Sequence, residues 1–393
     1  MSVKEPKIVL TLMVRDEADI IAAMVEHHLA QGVDLIIATD NGSVDGTREI
    51  LADYAATGRV ELHDYLAHDK NQSQVVSAMA SRAATEHGAT WVINADADEF
   101  FMAVDRSLTL RDVLRRIPTG IGAFEVPVVN MTGDPAREGP ALSRHVMRDI
   151  RQEATLMETV ALHAHPTANV VHVGRADVRV QQGNHNVDIA RMGQPDPAYS
   201  LEALHFPWRS YAQYSTKIMN TGRSYDANPT LNPSPRHHGM RDYRFWKAGV
   251  LEPIYLVRHP NDADSGGFVR DESLVSSLRA VLDDGDAARP DLLRPVLDDD
   301  WTGYSSAERK AAEEVARIVI PLEIEHLATS SLWRDLYRTE SAQRRRALEE
   351  RDASVDELRR LRARPEVRAR ALVGCLLRAP CTMLRRVIKA RRA

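Results

Sequence analysis

The sequence has few cysteines, no long apolar run and no phosphate-binding glycine loop. Only Cys375 and Cys381 occur in 393 residues, which excludes a disulfide framework and a cysteine zinc site and favours a reducing cytoplasm. No apolar stretch reaches about 18 residues, and the first residues lack the apolar segment of a secretory signal, so neither a membrane span nor secretion is expected. The dinucleotide-binding pattern GxGxxG is absent after the first apolar run, and the P-loop pattern GxxxxGK[ST] is absent throughout.

Charge is distributed unevenly along a chain of ordinary globular composition, with 44% apolar and 27% charged residues. Residues 359–393 hold twelve basic side chains and one acid, Glu366, whereas the whole chain has a net charge of −5. The first 358 residues therefore form an acidic body, which argues against a protein that coats nucleic acid. The pattern indicates an acidic body with a separate basic tail.

Short apolar runs alternate with helical patterns over the first hundred residues, and a glycine follows each helical pattern. This alternation predicts βαβ units that build one mostly parallel, buried sheet. The runs that we predict as its strands are 8–14, 35–38, 60–65 and 91–94. Further strands are predicted at 123–130, 170–173, 178–181 and 201–206, and a helix at 306–318.

Three acids, Asp96, Asp98 and Glu99, directly follow the fourth predicted strand in the segment WVINADADEFF. Open α/β sheets bind ligands at the carboxyl ends of their strands. Carboxylates crowded there repel one another unless a cation neutralises them, and Mg²⁺ or Mn²⁺ suits oxygen ligands. The alternative is that these acids only cap the following turn.

A second polar segment, TDNGSVDGT at 39–47, follows the second predicted strand. Gly42 and Gly46 allow a tight turn, and Ser43 or Asp45 can cap the next helix. Asp40 is left at the end of the strand, where its carboxylate can accept a hydrogen bond from an N–H of a planar ring. The alternative is a turn and cap without a ligand.

Together these segments resemble family 2-like glycosyltransferases of the GT-A fold. The resemblance rests on VRDEADII at 14–21, TDNGSVDGT at 39–47 and WVINADADEF at 91–100, in this order and spacing. A bacterial subgroup also has motifs similar to QGNHNV at 182–187 and LHFPWRSYAQYSTKI at 204–218. The match spans about residues 7–225 and implies an α/β fold of the GT-A type.

The resemblance assigns roles to several residues. Asp40 would face the nucleotide base of the donor, and the end of the first strand would line the base and ribose. Asp96 and Asp98 would form the D-x-D motif, with Asp98 favoured as the direct ligand of Mn²⁺ or Mg²⁺ bridging the donor diphosphate. At the end of the first strand, the residues predicted to line the base and ribose are Val14, Arg15 and Glu17.

The segment HFPWRS also has a physical interpretation of its own. Ser210 and Gln213 form a capping box, which predicts that a helix begins at Tyr211. His205 and Arg209 then precede a helix N-terminus, a favourable place for a diphosphate. His205 is a candidate third metal ligand, or else a packing residue. Arg209 and Lys217 are candidates for holding phosphate oxygens.

An inverting transferase needs a base that deprotonates the acceptor hydroxyl. The segment QGNHNVD at 182–188 offers His185 or Asp188 for this role. The alternative is that both residues belong to a polar turn.

The predicted organisation is a GT-A glycosyltransferase domain at 1–235, a helical or irregular extension at 236–340 and a basic, helical tail at 341–393. The predicted function is transfer of a sugar from a nucleotide-sugar donor to an acceptor hydroxyl of a glycan or glycolipid. Two alternatives stay open. One is a haloacid-dehalogenase-like phosphatase that uses Asp96 and Asp98 with Asp286 and Asp291, and the other is a non-catalytic module that binds sugar nucleotides.

Apolar residues interleave eight basic residues in the tail segment 367–392, which Pro380 interrupts. This pattern favours a helix lying in the interface of an anionic membrane over a spanning helix or an RNA-binding segment. The expected location is therefore cytoplasmic, with peripheral attachment at the inner face of the cell membrane and no nucleic-acid partner.

Overall fold

The computed structural model describes residues 5–67, 72–227, 233, 237–261, 266–298, 300–330 and 346. The chain divides into two compact units, Met1–Leu327 and Ala328–Ala393. The basic tail and its predicted membrane attachment lie outside the described residues, apart from residue 346. No helix in the described segments is long and apolar enough to cross a membrane.

The first unit is a mixed α/β structure. Its strands are β1 Ile8–Val14, β2 Leu35–Asp40, β3 Val60–Asp64, β4 Trp91–Ala95, β5 Glu99–Ala103, β6 Ala123–Val126, β7 Val128–Thr132, β8 Ala136–Glu138, β9 Met147–Asp149, β10 Asn169–Val173, β11 Leu201–His205, β12 Phe268–Arg270 and β13 Thr302–Gly303. Its helices are α1 Ile21–Ala30, α2 Thr47–Ala55, α3 Gln72–Thr85, α4 Leu110–Leu114, α5 Glu153–Val160, α6 Tyr211–Asp226, α7 His238–Lys247, α8 Leu251–Val257, α9 Ser273–Asp283 and α10 Pro290–Val296. A further helix begins at residue 306 and reaches the end of the unit.

The central sheet has the strand order β3-β2-β1-β4-β10-β6. Strands β1 to β4 are parallel, and β10 runs antiparallel between β4 and β6. Strands covered on both faces must be apolar throughout, and all residues of β1 except Met13 are buried. The predicted α/β class with a mostly parallel central sheet is confirmed.

A second sheet with the order β12-β9-β7-β11-β5 stands beside the first. The chain passes from the central sheet to this second sheet in the turn between β4 and β5. That turn consists of Asp96, Ala97 and Asp98, so the D-x-D motif joins the two sheets. Strand β11 pairs with β5 and ends at His205, opposite Glu99.

Two predicted strands differ from the observed ones. The strand predicted at 123–130 is two strands, because Pro127 lacks an N–H for the ladder and the chain changes sheets there. Residues 178–181 do not form a strand, and only an isolated bridge joins Val180 to Val187. This segment is a hairpin too short to build a ladder.

Helices from the predicted extension pack directly on the first part of the chain. Helices α9 and α10 contact α1. The buried carboxylate of Glu26 on α1 accepts the backbone N–H groups of Ala288 and Arg289 at 3.0 and 2.6 Å, at the start of α10. The extension therefore packs against α1 and stabilises its position. The domain boundaries predicted at 235 and 340 stay predictions.

Candidate functional site

The carboxyl ends of three central strands bring the predicted motifs together. Val14 at the end of β1 lies opposite Asp40 at the end of β2, and Ala95 of β4 lies opposite Leu12 of β1. The loops that follow these strands therefore start from one edge of the sheet, where open α/β folds bind ligands.

The loop after β2 encloses the carboxylate of Asp40, which is fully buried. Its Oδ2 accepts the N–H groups of Gly42 and Ser43 at 3.0 and 3.1 Å, while Oδ1 is buried without a hydrogen-bond partner. Gly42 makes this turn possible because its φ of 71° favours glycine. An unpaired buried carboxylate oxygen is costly, so Asp40 is suited to accept a hydrogen bond from a ligand.

The end of β1 contributes mainly through its backbone and its acids. Val14 is buried, and its carbonyl accepts the N–H of Asn41 at 2.8 Å. Arg15 is about one-third exposed, with its Nε 3.5 Å from an oxygen of Asp16. The backbone N–H of Glu17 donates to Thr47 Oγ1 at 2.8 Å, which ties this loop to the start of α2.

Three cationic or titratable side chains face Asp98 Oδ2. Lys217 Nζ lies 2.6 Å away, an Arg209 nitrogen 3.5 Å away and His205 Nε2 3.6 Å away. Burial alone would raise the pKa of Asp98, but Lys217, His205 and Arg209 together hold that pKa well below its usual range. Asp98 is therefore a buried, ionised carboxylate.

Asn130 fixes the orientation of the His205 ring. His205 Nδ1 lies 2.8 Å from Asn130 Oδ1, and an amide oxygen can only accept, so Nδ1 carries the hydrogen. Nε2 is then directed at Asp98. Burial lowers the pKa of His205, but the charge of Asp98 outweighs it and raises that pKa. The pair presents an imidazole and a carboxylate side by side, as metal ligands with an outer-shell partner do.

Asp96 faces away from this pair. Its Oδ1 accepts hydrogen bonds from Asn184 at 3.1 Å and from Gln72 at 3.4 Å. Burial and the neighbouring charge of Asp98 raise the pKa of Asp96. Among the described residues, no group of three histidine, cysteine, aspartate or glutamate side chains is arranged to hold a metal ion. Asp98 and His205 can supply two ligands, and ligation by Asp96 stays a prediction.

The two predicted phosphate ligands have different surroundings. Arg209 is buried and pairs with Glu17 and, at 2.7 and 3.0 Å, with Asp19. It therefore fastens the loop after β1 to the D-x-D turn, and a phosphate could reach it only after these pairs open. Lys217 is 38% exposed and bridges Asp98 and Glu17, so an incoming anion can reach it.

The two candidate bases lie on one hairpin but make different contacts. Asp188 Oδ1 accepts the N–H of Arg179 at 2.7 Å, and its own N–H donates to the Arg179 carbonyl at 3.2 Å, so Asp188 closes the hairpin. His185 is exposed, and its Nδ1 lies 3.1 Å from Asn169 Oδ1. Asn169 in turn donates to Glu99 Oε2 at 2.7 Å, which links His185 to the segment after the D-x-D turn.

Sequence reasoning missed three asparagines that orient the site. Asn130 and Asn169 lie far along the chain from their partners, and no local pattern marks them. Asn184 carries a signal in the Gly-Asn pair of QGNHNV. It is buried, adopts a φ of 63°, and donates to Asp96. Asparagine tolerates the left-handed region better than most residues.

A family model described as Glycosyltransferase family 92 matches residues 10–159, which run from β1 into α5. This segment contains Asp40, Asp96 and Asp98 and covers less than half of the chain. The match supports the glycosyltransferase class, whereas the assignment to family 2 stays a prediction. A comparison with curated proteins found no match.

Two solved structures are among those to which this chain is similar. TarS 1-349 of S. aureus in complex with UDP-GlcNAc is 12% identical, over 81% of this chain and 92% of that one, with a TM-score of 0.33. Glucosyl-3-phosphoglycerate synthase of Mycobacterium tuberculosis, with Mn²⁺, UDP-glucose and phosphoglyceric acid, is 15% identical over 43% and 57%, with a TM-score of 0.22. At such TM-scores the function has to be argued from this chain's own residues.

The contacts of the hairpin predict that Asp188 stabilises the structure and that His185 does not. Asp188→Ala removes the acceptor of the Arg179 N–H and should lower the free energy of unfolding by about 1–2 kcal/mol. Asp177→Ala is the matched control, because Asp177 makes an exposed ion pair with Arg175, and it should leave the free energy of unfolding nearly unchanged. Chemical denaturation measures both, and equal effects would contradict the structural role of Asp188.

Proposed function

We propose that the protein transfers a sugar from a nucleotide-activated donor to an acceptor hydroxyl. The observation that carries this proposal is the meeting of Asp40, the D-x-D turn and His205 at the carboxyl edge of a parallel sheet. The family 92 model covers the first two of these elements, which supports the same class.

Asp40 is proposed to bind the nucleotide base. Its buried Oδ1 has no hydrogen-bond partner among the described residues, whereas the neighbouring N–H groups hold its Oδ2 in place. A pyrimidine or purine ring N–H would supply the missing donor. The loop from Val14 to Glu17 would then line the base and ribose.

Asp98 and His205 are proposed to hold Mn²⁺ or Mg²⁺. Glu17, Asp19 and Asp98 pair with Arg209 and Lys217, and Asp98 also faces His205. An ionised carboxylate beside an imidazole offers an oxygen and a nitrogen ligand to such a cation.

The leaving nucleoside diphosphate gains negative charge as the glycosidic bond breaks, and a bound cation stabilises that charge. Lys217 holds the place beside Asp98 that a metal would take, and its partial exposure lets it move. We propose that Lys217 exchanges Asp98 for a phosphate oxygen when metal and donor bind. Arg209 stays behind as the buried link between the two loops.

His185 is proposed as the base of an inverting reaction, in preference to Asp188. Its ring is exposed to an incoming acceptor, whereas the carboxylate of Asp188 is engaged by the hairpin backbone. Partial burial of the ring lowers the pKa of His185 despite the opposing charge of Asp96, which favours the neutral imidazole that can accept a proton near pH 7.

The acceptor is proposed to be a glycan or glycolipid, with the basic tail holding the enzyme at an anionic membrane from the cytoplasmic side. The described residues give no support to the phosphatase alternative, whose later acid Asp291 is exposed and pairs with Arg289. A non-catalytic module that binds sugar nucleotides is the outcome to separate by experiment.

Asp98→Asn tests the metal site. The variant keeps the size of the side chain but removes the charge that holds the cation. It should lower Mn²⁺-dependent turnover of UDP-, GDP- or dTDP-sugars by more than the roughly 10- to 100-fold caused by loss of an outer-shell partner. The fold should survive, because Glu17 and Asp19 still balance Arg209 and Lys217. Calorimetry and a donor-hydrolysis assay measure binding and turnover.

Asp291→Asn is the control for that test, because it changes an exposed aspartate outside the site. His205→Ala should weaken Mn²⁺ affinity as well, by removal of the second ligand. Near-normal turnover of Asp98→Asn would refute Asp98 as a metal ligand. Binding of a donor by the parent protein without turnover would favour the non-catalytic module.

His185→Ala tests the base. Turnover should fall by about two to four orders of magnitude while donor binding persists, because the acceptor hydroxyl loses its proton acceptor. Asp188→Asn keeps an oxygen acceptor for the Arg179 N–H and should retain turnover. The reverse ranking of the two variants would assign the base to Asp188, and equal retention would place the base elsewhere.

A further inference from the structure

Strand β5 follows the D-x-D turn and lies at the edge of the second sheet. Its bonds to the neighbouring β11 segment include Phe206 N–H to Asp98 carbonyl at 2.9 Å and Val104 N–H to Ser200 carbonyl at 3.0 Å. In an antiparallel ladder, alternate residues face opposite edges. The backbone N–H and carbonyl of Phe101 therefore face away from β11, toward the free edge.

Two adjacent histidines of α1 bind both of these backbone groups. His27 Nε2 lies 2.8 Å from the Phe101 carbonyl, and the Phe101 N–H lies 3.2 Å from His28 Nε2. A carbonyl can only accept, so His27 donates through Nε2, whereas His28 accepts through Nε2. His28 Nδ1 lies 2.8 Å from the Met24 carbonyl, which assigns the ring hydrogen to Nδ1.

We infer that His27 and His28 are positioning residues that hold β5, and with it Asp98 and Glu99, at the distance the proposed reaction needs. The two imidazoles form the hydrogen bonds to Phe101 that a further strand would form at the free edge of β5. The inference rests on the proposed function, because it assigns these histidines to the geometry of the metal site rather than to packing alone.

We call the two hydrogen bonds that join His27 and His28 to Phe101 the clamp. Only a few buried residues separate the clamp from the proposed metal ligand. Phe101 is three residues from Asp98, and every residue of β5 is buried. On its other side, β5 pairs with β11, whose last residue is His205. Strand β5 is thus held between α1 and the strand that carries the second proposed metal ligand. Movement of β5 would change the 3.6 Å distance between Asp98 and His205 directly.

The clamp requires the His28 ring in its neutral form, because protonated His28 has no acceptor for the Phe101 N–H. Burial lowers the pKa of His27 to about 4, and burial with the neighbouring His27 lowers that of His28 well below its usual range. Arg106, after β5, is the charged group that acts on His27 and lowers its pKa further. The rings also contact Phe100, with centroids 5.5 and 6.3 Å away.

A pair of amide variants separates the clamp from packing. In His28→Gln the side-chain oxygen can reach the position of Nε2 and accept the Phe101 N–H. In His28→Asn the shorter side chain reaches only as far as Nδ1 and leaves the N–H without an acceptor. Both variants are polar and smaller than histidine, and they keep opposite bonds of the ring: asparagine can keep the bond to the Met24 carbonyl, whereas glutamine can keep the bond to Phe101.

The measurements are hydrogen exchange of the β5 amides and steady-state kinetics with a donor that the parent protein turns over. His28→Asn should speed exchange at Phe101 and lower kcat by about 10- to 100-fold, with KM for the donor within about twofold. His28→Gln should retain most of the protection and of kcat. Mn²⁺ affinity should fall in the asparagine variant only.

His172→Asn is the matched control for loss of a buried histidine. His172 lies on β10, its pKa is also lowered to about 4 by burial, and its Nδ1 bonds the Val173 carbonyl rather than β5. It should lower stability without changing kcat in the folded protein.

Each outcome bears on a different claim. Equal exchange at Phe101 in the two His28 variants would overturn the clamp, and equal kcat and Mn²⁺ affinity would overturn its positioning role. A parent protein that neither binds Mn²⁺ nor turns over any donor would overturn the proposed function, while the exchange rates would still decide whether the histidines hold β5.

Discussion

The site depends on one buried carboxylate, that of Asp98, and on the cations that compensate it. An isolated buried charge is strongly destabilising, so Asp98 can stay ionised only because Lys217, Arg209 and His205 face it. Each of these partners comes from the segment 205–217, more than a hundred residues after the D-x-D turn. Asp98 therefore draws the end of β11 and the start of α6 toward the D-x-D turn, in addition to the strand pairs of β11 with β5 and β7.

Arg209 extends this constraint to the first strand. Its guanidinium joins Glu17 and Asp19 of the loop after β1 to Asp98 of the turn after β4. Arginine suits this role because its planar group donates to several carboxylates at once and stays charged when buried. Glu26 holds the start of α10 against α1, the helix that follows this loop. The ion pairs of Arg209 and the packing of α10 on α1 thus act on the same part of the chain.

Local sequence patterns predict the central sheet well, because each of its first three strands is followed by a helix that ends at a glycine. Strand β1 agrees with its prediction at both ends, and α6 begins at Tyr211 as predicted. The Ser210 side chain caps it, but the capping box is incomplete because the Gln213 side chain donates to Glu17 instead. Residues 123–130 and 178–181 were harder to predict, because a change of sheet and a short hairpin depend on tertiary contacts. The acids and His205 stood out by motif, but their partners did not. Asn130 and Asn169 have no local signature, and that Arg209 faces carboxylates rather than solvent depends on packing between distant segments.

The most direct test of the proposed metal and donor site is a crystal structure of the protein soaked with Mn²⁺ and a nucleoside diphosphate, with anomalous data collected at the manganese edge. We expect one manganese peak within about 2.0–2.3 Å of a carboxylate oxygen of Asp98 and a ring nitrogen of His205. Lys217 should have left Asp98 for a phosphate oxygen, and the base should lie against Asp40. A diphosphate bound with Lys217 still on Asp98 and no manganese between Asp98 and His205 would contradict it.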